Sequence, residues 1–348
     1  YEFSESEKEK LRKNYRTASG KNIESYDLFI EKALHNLSIN GQLSFILPEA
    51  ILNVKAHTPV RTAIMESNSI RYLNFLGNAF DKVQCPCIIL QLIHTGKPLS
   101  TVGMEVSDCS HCTTILTNRK ISAEYFSFHT TDAEYQLLEK IRHIPKTKFL
   151  AGNADFALGI VTGNNKKYIS SVKNKDNEVI LKGSDICKYH TNPNSNYIVF
   201  NPQNFQQVAP IELYRAPEKL LYRFISSQLV FAYDDKQTLS LNSCNIVIPK
   251  IEGMQIKYIL AILNSSVSQF VYQKEFHSIK VLRAHMEHIP IPRVGKAIQN
   301  EIIAMTEPLI CGMGKEAAET CQKRLDCRIM DLFRLSAEEQ WVIRHALH

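Results

Sequence analysis

Apolar positions recur with a helical period in some stretches of this chain and with a strand period in others. From Ser25 to Leu37 the apolar residues Phe29, Ile30, Ala33, Leu34 and Leu37 recur at the spacing of one helix face, and Ser25 or Asp27 offers a cap. Asn40-Gly41 reads as a turn, and Gln42–Pro48 as a buried strand that proline ends. A helix at 59–66, a strand at 70–76 and an apolar strand at 87–93 follow. This alternation predicts a layered α/β sheet. Residues 95–120 are polar and turn-rich, an excursion at the sheet edge, and 132–143 predict an amphipathic helix through Tyr135, Leu138 and Ile141.

Past residue 150 the character changes. Short apolar stretches at 157–161, 167–171, 179–181, 197–200, 229–233 and 244–248 alternate with clusters of Gly, Asn, Asp and Pro, the pattern of a β-rich, loop-rich region. Residues 256–263 and 266–272 predict helices, His288-Ile289-Pro290-Ile291-Pro292 closes the region, and 296–348 are helical, with Ser336 placed to cap a late helix. The predicted organisation is an α/β part at 1–147, a mixed, β-rich domain at 148–295 and a helical tail at 296–348.

Composition changes this picture little. Hydrophobic residues make up 44% of the 348 and charged residues 22%, an ordinary globular balance. No apolar run approaches a membrane span, and residues 1–15, dense in Glu, Lys and Arg, do not form a secretory leader. Nine cysteines with no export signal read as reduced thiols. The net charge of +6 permits a nucleic-acid partner without requiring one, because a phosphate-binding face needs clustered cations rather than a large total. The chain begins with Tyr1 rather than Met, which leads us to expect an upstream portion.

Four stretches, in order, resemble the gamma class of adenine-specific DNA methyltransferases, of the Taq type, and the fused type IIG restriction–modification enzymes on the same scaffold. The first is Lys13-Asn14-Tyr15 with Ser25-Tyr26-Asp27-Leu28-Phe29 and the run on to Pro48, similar to the helix and strand after the family's catalytic loop. The second is Asn78-Ala79-Phe80-Asp81-Lys82-Val83 leading into Cys87-Ile88-Ile89-Leu90. The third is Gly159-Ile160-Val161-Thr162-Gly163-Asn164-Asn165, with Leu181-Lys182-Gly183-Ser184-Asp185. The fourth joins Lys219-Leu220-Leu221-Tyr222-Arg223, residues 259–265 and the Pro-Ile-Pro close at 290–292. The sequence departs from the family in lacking both Asn-Pro-Pro-Tyr and the glycine-rich strand–loop that holds S-adenosylmethionine.

The resemblance implies a truncated Rossmann-like half followed by a target-recognition domain, in a bacterial cytoplasmic protein with double-stranded DNA as partner. It implies S-adenosylmethionine as cofactor of the full-length parent, with none held and no methyl transfer by this chain alone. Methylating adenine requires taking the base out of the stack. The resemblance places Phe80 beside that base, with a core aromatic at a strand end as the competing account. Sequence reading requires polar groups at base edges and cations on phosphates. Thr162, Asn164, Asn165, Lys166, Lys167 and Tyr168 have that makeup, as do Lys182 and Ser184, each weighed against a plain polar turn. Arg215, Tyr222 and Arg223 interleave aromatics with cations, against an ordinary helix for the latter two. Lys236 and Gln237 sit in a loop whose Asp234 and Asp235 repel phosphate unless directed away, and Lys280 and Arg283 belong to a basic stretch from Phe276 to His285.

Three rival readings carry different chemistry. Cys85, Cys87, Cys109, His111 and Cys112 offer thiols and an imidazole for zinc, although the Cys85–Cys87 spacing is tighter than structural zinc prefers. A type I specificity subunit shares the Pro-Ile-Pro close but carries two recognition domains. A nuclease centre finds no Pro-Asp followed by Glu-x-Lys, and no nucleophile motif surrounds any of the twelve histidines.

Overall fold

Residues 42–48 alternate polar and apolar as far as Phe45 and end in the apolar run Phe45-Ile46-Leu47-Pro48, and in the computed structural model they form strand β1 (Gln42–Pro48). Residues 3–20, 22–81, 83–276 and 279–347 are described. Leu43, Phe45 and Leu47 turn toward the core, whereas Ile46 is exposed. The strand is therefore half-buried, not buried as its apolar run suggests, because it lies at the edge of its sheet.

That sheet also contains β2 (Asn68–Gly77), β3 (Cys87–His94), β4 (Glu105–Ser107) and β5 (Cys112–Thr114), in the order β1-β3-β2-β4-β5. The polar excursion at 95–120 thus supplies two short strands at the far edge. β3 runs antiparallel to both β1 and β2, so the latter two are parallel to each other. Parallel strands require a crossover, and helix α3 (Thr58–Ser67) lies in it. A charged helix, α1 (Glu5–Asn14), has no buried residue, and α2 (Ser25–Asn36) packs Ile30 into the core with Val60, Ile64, Leu73 and Leu90. Phe29 departs from the expected apolar face and is 67% exposed. Asp27 does not cap α2: it is buried and bonded to His57.

The compact units divide inside helix α4 (Asp132–Arg142), giving Tyr1–Gln136 and Leu137–His348. In the second unit β6 (Thr147–Lys148) pairs with β15 (Ile291–Pro292), the Pro-Ile-Pro close. One four-stranded sheet has the order β12-β11-β14-β7, from β7 (Ala154–Ala157), β11 (Lys219–Arg223), β12 (Phe231–Asp234) and β14 (Cys244–Pro249). The other is β13-β9-β10-β8, from β8 (Ile169–Ser170), β9 (Glu178–Leu181), β10 (Tyr197–Ile198) and β13 (Leu239–Ser240). The strand expected over 157–161 lies earlier, at β7, and the one over 167–171 is shortened by a single helical turn, α5 (Asn165–Tyr168).

Alternation along the central strands explains how the layers join. Leu220 and Tyr222 of β11 point into a core shared with helices, and Leu221 points into a core shared with the second sheet. Val247 and Ile246 of β14 divide the same way. A short turn, α6 (Ile211–Tyr214), places Tyr214 between the sheets. Helices α7 (Ile256–Asn264) and α8 (Ser266–Phe276) fill the other core, and a short helix, α9 (Arg283–Glu287), precedes β15. The tail helices α10 (Lys296–Ile310), α11 (Lys315–Leu332) and α12 (Ala337–Ala346) contribute Ile302, Leu309, Ile329 and Ile343 to that same core. Ser336 caps α12, its hydroxyl accepting from the Glu339 amide at 3.2 Å while the Glu339 carboxylate accepts from the Ser336 amide at 2.7 Å. Among the described residues no helix is long and apolar enough to cross a membrane.

Candidate functional site

The segment Thr162-Gly163-Asn164-Asn165-Lys166-Lys167-Tyr168 folds as a short loop and one helical turn because its small polar residues bond to their own backbone. Thr162 is buried; its hydroxyl donates to Asn165 Oδ1 at 2.6 Å and accepts from the Asn164 amide at 3.1 Å. Gly163 takes φ of +76°, where a side chain is strained. Asn164 Oδ1 accepts from the Lys167 amide at 3.2 Å, capping α5. Reciprocal backbone bonds between Val161 and Gln207, at 2.9 and 3.1 Å, dock the loop, and Tyr168 packs edge-on to Phe205 at 5.4 Å. Thr162 and the Asn164 side-chain carbonyl are thus engaged within the loop. Lys166 and Lys167 are exposed, with no ion pair among the described residues, and Lys167 Nζ stands 5.0 Å from the Tyr168 ring.

From Phe205 an aromatic run leads to Phe200, and the Arg215 guanidinium lies 5.5 Å over the Phe200 ring. Arg215 differs from its expected role as an outward cation. It holds Glu178 with two bonds, 2.6 and 2.8 Å, and donates to the Gln237 carbonyl at 2.9 Å. The bonds to Glu178 raise its pKa further, so this charge is spent on joining β9 to the turn after β12. In that turn Asp235, Lys236 and Gln237 are exposed, and Gln237 adopts φ of +55°. Asp234 is directed inward, ion-paired with buried Lys219 at 2.5 Å and accepting from Thr238. Burial lowers the Lys219 pKa while Asp234 opposes that shift.

Asp185, fully buried, organises the segment around Lys182 and Ser184. Its carboxylate accepts from the Lys182 amide at 2.8 Å, the Asn194 side-chain amide at 2.8 Å and the Ser184 hydroxyl at 3.3 Å. Ser184 is exposed and Lys182 half-buried. Gly183 donates to Ser243 Oγ at 3.0 Å, and a Cβ on it would meet the Ser243 carbonyl at 2.5 Å. Gly159 is hemmed in by the Leu241 and Cys244 carbonyls. These two glycines therefore serve backbone packing within the unit.

Tyr222 does not reach the surface. It lies in strand β11 rather than a helix, 4% exposed, 5.7 Å from the Phe231 ring, and burial pushes its phenol up to about 12. Arg223 leaves the same strand and donates from Nε to the Ile186 carbonyl at 2.8 Å. Lys280 is exposed, bridged to Ile225. Arg283 is exposed, bonded to Glu287 at 2.8 Å, with its guanidinium 5.0 Å over the Phe156 ring. His277 and Ser278 of the same basic stretch lie outside the described residues.

Backbone bonds connect these segments into one band. Ile160 donates to the Ser240 carbonyl, Leu241 to Leu181, and Phe224 to Ser243, so the loops at 162–168, 182–184 and 223–225 rise from adjoining backbone.

Within the first unit Phe80 occupies the loop between β2 and β3 and is 53% exposed, so it is not the core aromatic of the competing account. A triad that the sequence did not single out lies in the same unit. Buried His57 bonds through Nδ1 to Asp27 Oδ2 and through Nε2 to the Tyr26 hydroxyl, each at 2.8 Å. Burial, with Asp27 next in weight, raises the Tyr26 pKa well above the ordinary phenol value, so the phenol stays neutral. Only folding brings residues thirty positions apart together, so no local pattern marks them. The zinc reading finds no support in how the thiols are placed: among the described residues no three or more His, Cys, Asp or Glu side chains gather to hold a metal ion.

Residues 1–80 match the model of the Eco57I restriction-modification methylase, and residues 178–291 match that of the TaqI-like C-terminal specificity domain. The type II methyltransferase M.VspI of Vibrio sp. (strain 343) is 26% identical over 189 residues, 49% of this chain and 42% of that protein. The type II restriction enzyme and methyltransferase RM.Eco57I of Escherichia coli is 25% identical over 188 residues, 51% of this chain and 19% of that protein. Thus this chain matches less than half the length of either relative. Among solved structures, the type IIL restriction-modification enzyme MmeI aligns over 96% of this chain and 53% of its own at a TM-score of 0.61 and 11% identity, a likeness of fold. The ATP-dependent type ISP enzyme LlaBIII aligns over 89% of this chain and 28% of its own at 0.50 and 9%.

The chain is similar in sequence to gamma-class methyltransferases and type IIG restriction–modification enzymes. More particularly, a segment matching the Eco57I methylase precedes one matching the TaqI-like specificity domain, in the order expected from its motifs.

Proposed function

We propose that residues 148–295 read a specific sequence in double-stranded DNA, on behalf of an adenine-specific methyltransferase that takes its methyl group from S-adenosylmethionine. One observation carries the reading of the second unit. Lys166, Lys167 and Lys236 stand exposed on loops that a bonded framework holds in place, and none of the three has a carboxylate partner among the described residues. Unpaired lysines on fixed loops suit phosphates, and beside them Gln237 and the side-chain NH2 of Asn165, whose Oδ1 is held by Thr162, suit base edges. The specificity-domain match supports the same reading, as do MmeI and LlaBIII, whose structures are of those proteins with DNA.

The first unit would be part of a Rossmann-like catalytic domain, in keeping with its parallel β1 and β2 joined through α3. Phe80, exposed in the loop after β2, would pack on the flipped adenine. S-adenosylmethionine would supply the methyl group. This sequence contributes no glycine-rich strand–loop to hold it. The match of residues 1–80 to a methylase favours this reading over a pure specificity subunit.

The test is retention of duplexes from a randomised pool by the 348-residue chain at several salt concentrations. Enrichment of one sequence is expected. Retention that follows salt alone, with no sequence enriched, would overturn the reading, because phosphate contacts carry no sequence information.

A further inference from the structure

Within the second unit the turn Cys187-Lys188-Tyr189-His190 borders a cavity of about 360 Å³, and α11 forms another of its walls. The Cys187 amide donates to the His190 carbonyl at 3.0 Å and closes the turn. Tyr189 takes φ of +76°, a strained value for a residue with a side chain, and β12 holds it there: its amide donates to the Phe231 carbonyl at 2.7 Å and its carbonyl accepts from the Tyr233 amide at 3.0 Å. On α11, Glu319, Gln322 and Lys323 line the cavity from one face of the helix. Leu309, Met313 and Ala318 make the rest of the lining apolar. Lys188 Nζ donates to the Asn264 carbonyl at 3.2 Å and forms no ion pair among the described residues. Burial lowers its pKa, and Asp326 opposes that shift only in part. Lys323 is exposed, also with no ion pair among the described residues.

Tyr189 Oη, His190 Nδ1 and Gln322 Nε2 are buried without a hydrogen-bond partner among the described residues, and all three belong to residues of this one wall. The Gln322 amide comes near enough to the Tyr189 hydroxyl and the Asp326 carboxyl to act against the burial-driven rise of both pKa values, yet its nitrogen makes a hydrogen bond to neither. Buried polar groups left unpaired are rare, so three around one cavity call for a ligand. Burial keeps the Tyr189 phenol neutral, with a proton to give, and Gln322 and the two ammonium groups are donors as well. A wall rich in donors suits a ligand rich in acceptors. One water takes up about 30 Å³, so the cavity has room for a larger molecule. We propose that it binds a small organic oxyanion, a phosphate or carboxylate on an apolar ring or chain. Lys188 and Lys323 take the charge, and Leu309, Met313 and Ala318 pack on the apolar body. Glu319, in the same wall, repels the anion and limits its affinity. The inference uses none of the side chains in the DNA reading and stands independently of it.

The experiment titrates the whole chain with phenyl phosphate, benzoate, inorganic phosphate and benzyl alcohol in a calorimeter. One of the two aromatic anions is expected to bind at a single site, and the tighter of them identifies the head group. Inorganic phosphate, without an apolar body, binds about tenfold more weakly, and neutral benzyl alcohol does not bind. Lys323→Ala and Gln322→Leu each weaken the aromatic anion about three- to tenfold, whereas Glu319→Gln tightens it about threefold. Lys173→Ala, which removes an exposed cation from another loop, changes nothing. Lys323 and Glu319 are exposed, so their variants keep the parent's urea midpoint and report on the ligand alone. Failure of both aromatic anions to bind overturns the site and leaves a cavity filled with water. Benzyl alcohol binding as tightly as the anions overturns the oxyanion assignment. Binding that neither Lys323→Ala nor Glu319→Gln alters also overturns it, because the ligand then sits elsewhere on the chain.

Discussion

Gly159 and Gly183 look in the sequence like punctuation between strands, yet the structure gives each a steric duty. At Gly183 an added Cβ would lie 2.5 Å from the Ser243 carbonyl, and at Gly159 it would lie 2.6 Å from that of Cys244 and closer still to Leu241. Backbone cannot yield as a flexible side chain does, so Gly159→Ala is expected to destabilise the second unit by about 2–4 kcal/mol in urea unfolding. An unchanged midpoint would show that the strands can separate without cost. A second expectation concerns His285, whose imidazole stacks on Phe276 at 4.4 Å and is lowered by burial to about 4. The unfolded chain takes up that proton near 6.5, the folded one only near 4, so stability is lost as pH falls through this window. By pH 5 the loss is at most about 2 kcal/mol, less where solvent reaches the ring. His285→Phe should flatten this part of the pH profile, and a profile identical to the parent's would refute the assignment.

At the scale of elements, legibility follows the range of the interactions involved. β3 and β14 are readable as apolar runs, and the loop at 162–168 as a turn, because Thr162, Gly163 and Asn164 act on their immediate neighbours. Strand β11 is not readable: Lys219-Leu220-Leu221-Tyr222-Arg223 suits a helix equally well until β12 and β14 pair with it. Arg215 eludes the sequence for the same reason, since its partner Glu178 lies 37 positions away. This distinction predicts opposite outcomes for two cation removals. Lys166→Ala with Lys167→Ala should leave unfolding unchanged and flatten the plot of log K against log salt by about 0.9 for each phosphate no longer neutralised. Arg215→Ala should lower the melting temperature while leaving most of the salt slope. A reversal of the two patterns would mean that Arg215 faces the ligand.

For the whole molecule, the helices at 296–348 are structural partners of the β-rich region rather than an appendage. Leu325, Ile329 and Phe333 pack in one core with Leu220, Phe231 and Tyr258. Removing everything after residue 295 should therefore yield a second unit without cooperative thermal unfolding, whereas 137–348 expressed alone should melt in one transition. A sharp melt from the truncated form would refute this shared core. The loop at 162–168 carries a different consequence. Thr162, Gly163 and Asn164 set its shape, while the side chains of Lys166 and Lys167 support nothing beneath them. Drift at the latter two positions leaves the architecture untouched, so a lineage can alter the charge this loop presents one codon at a time, without passing through a misfolded ancestor.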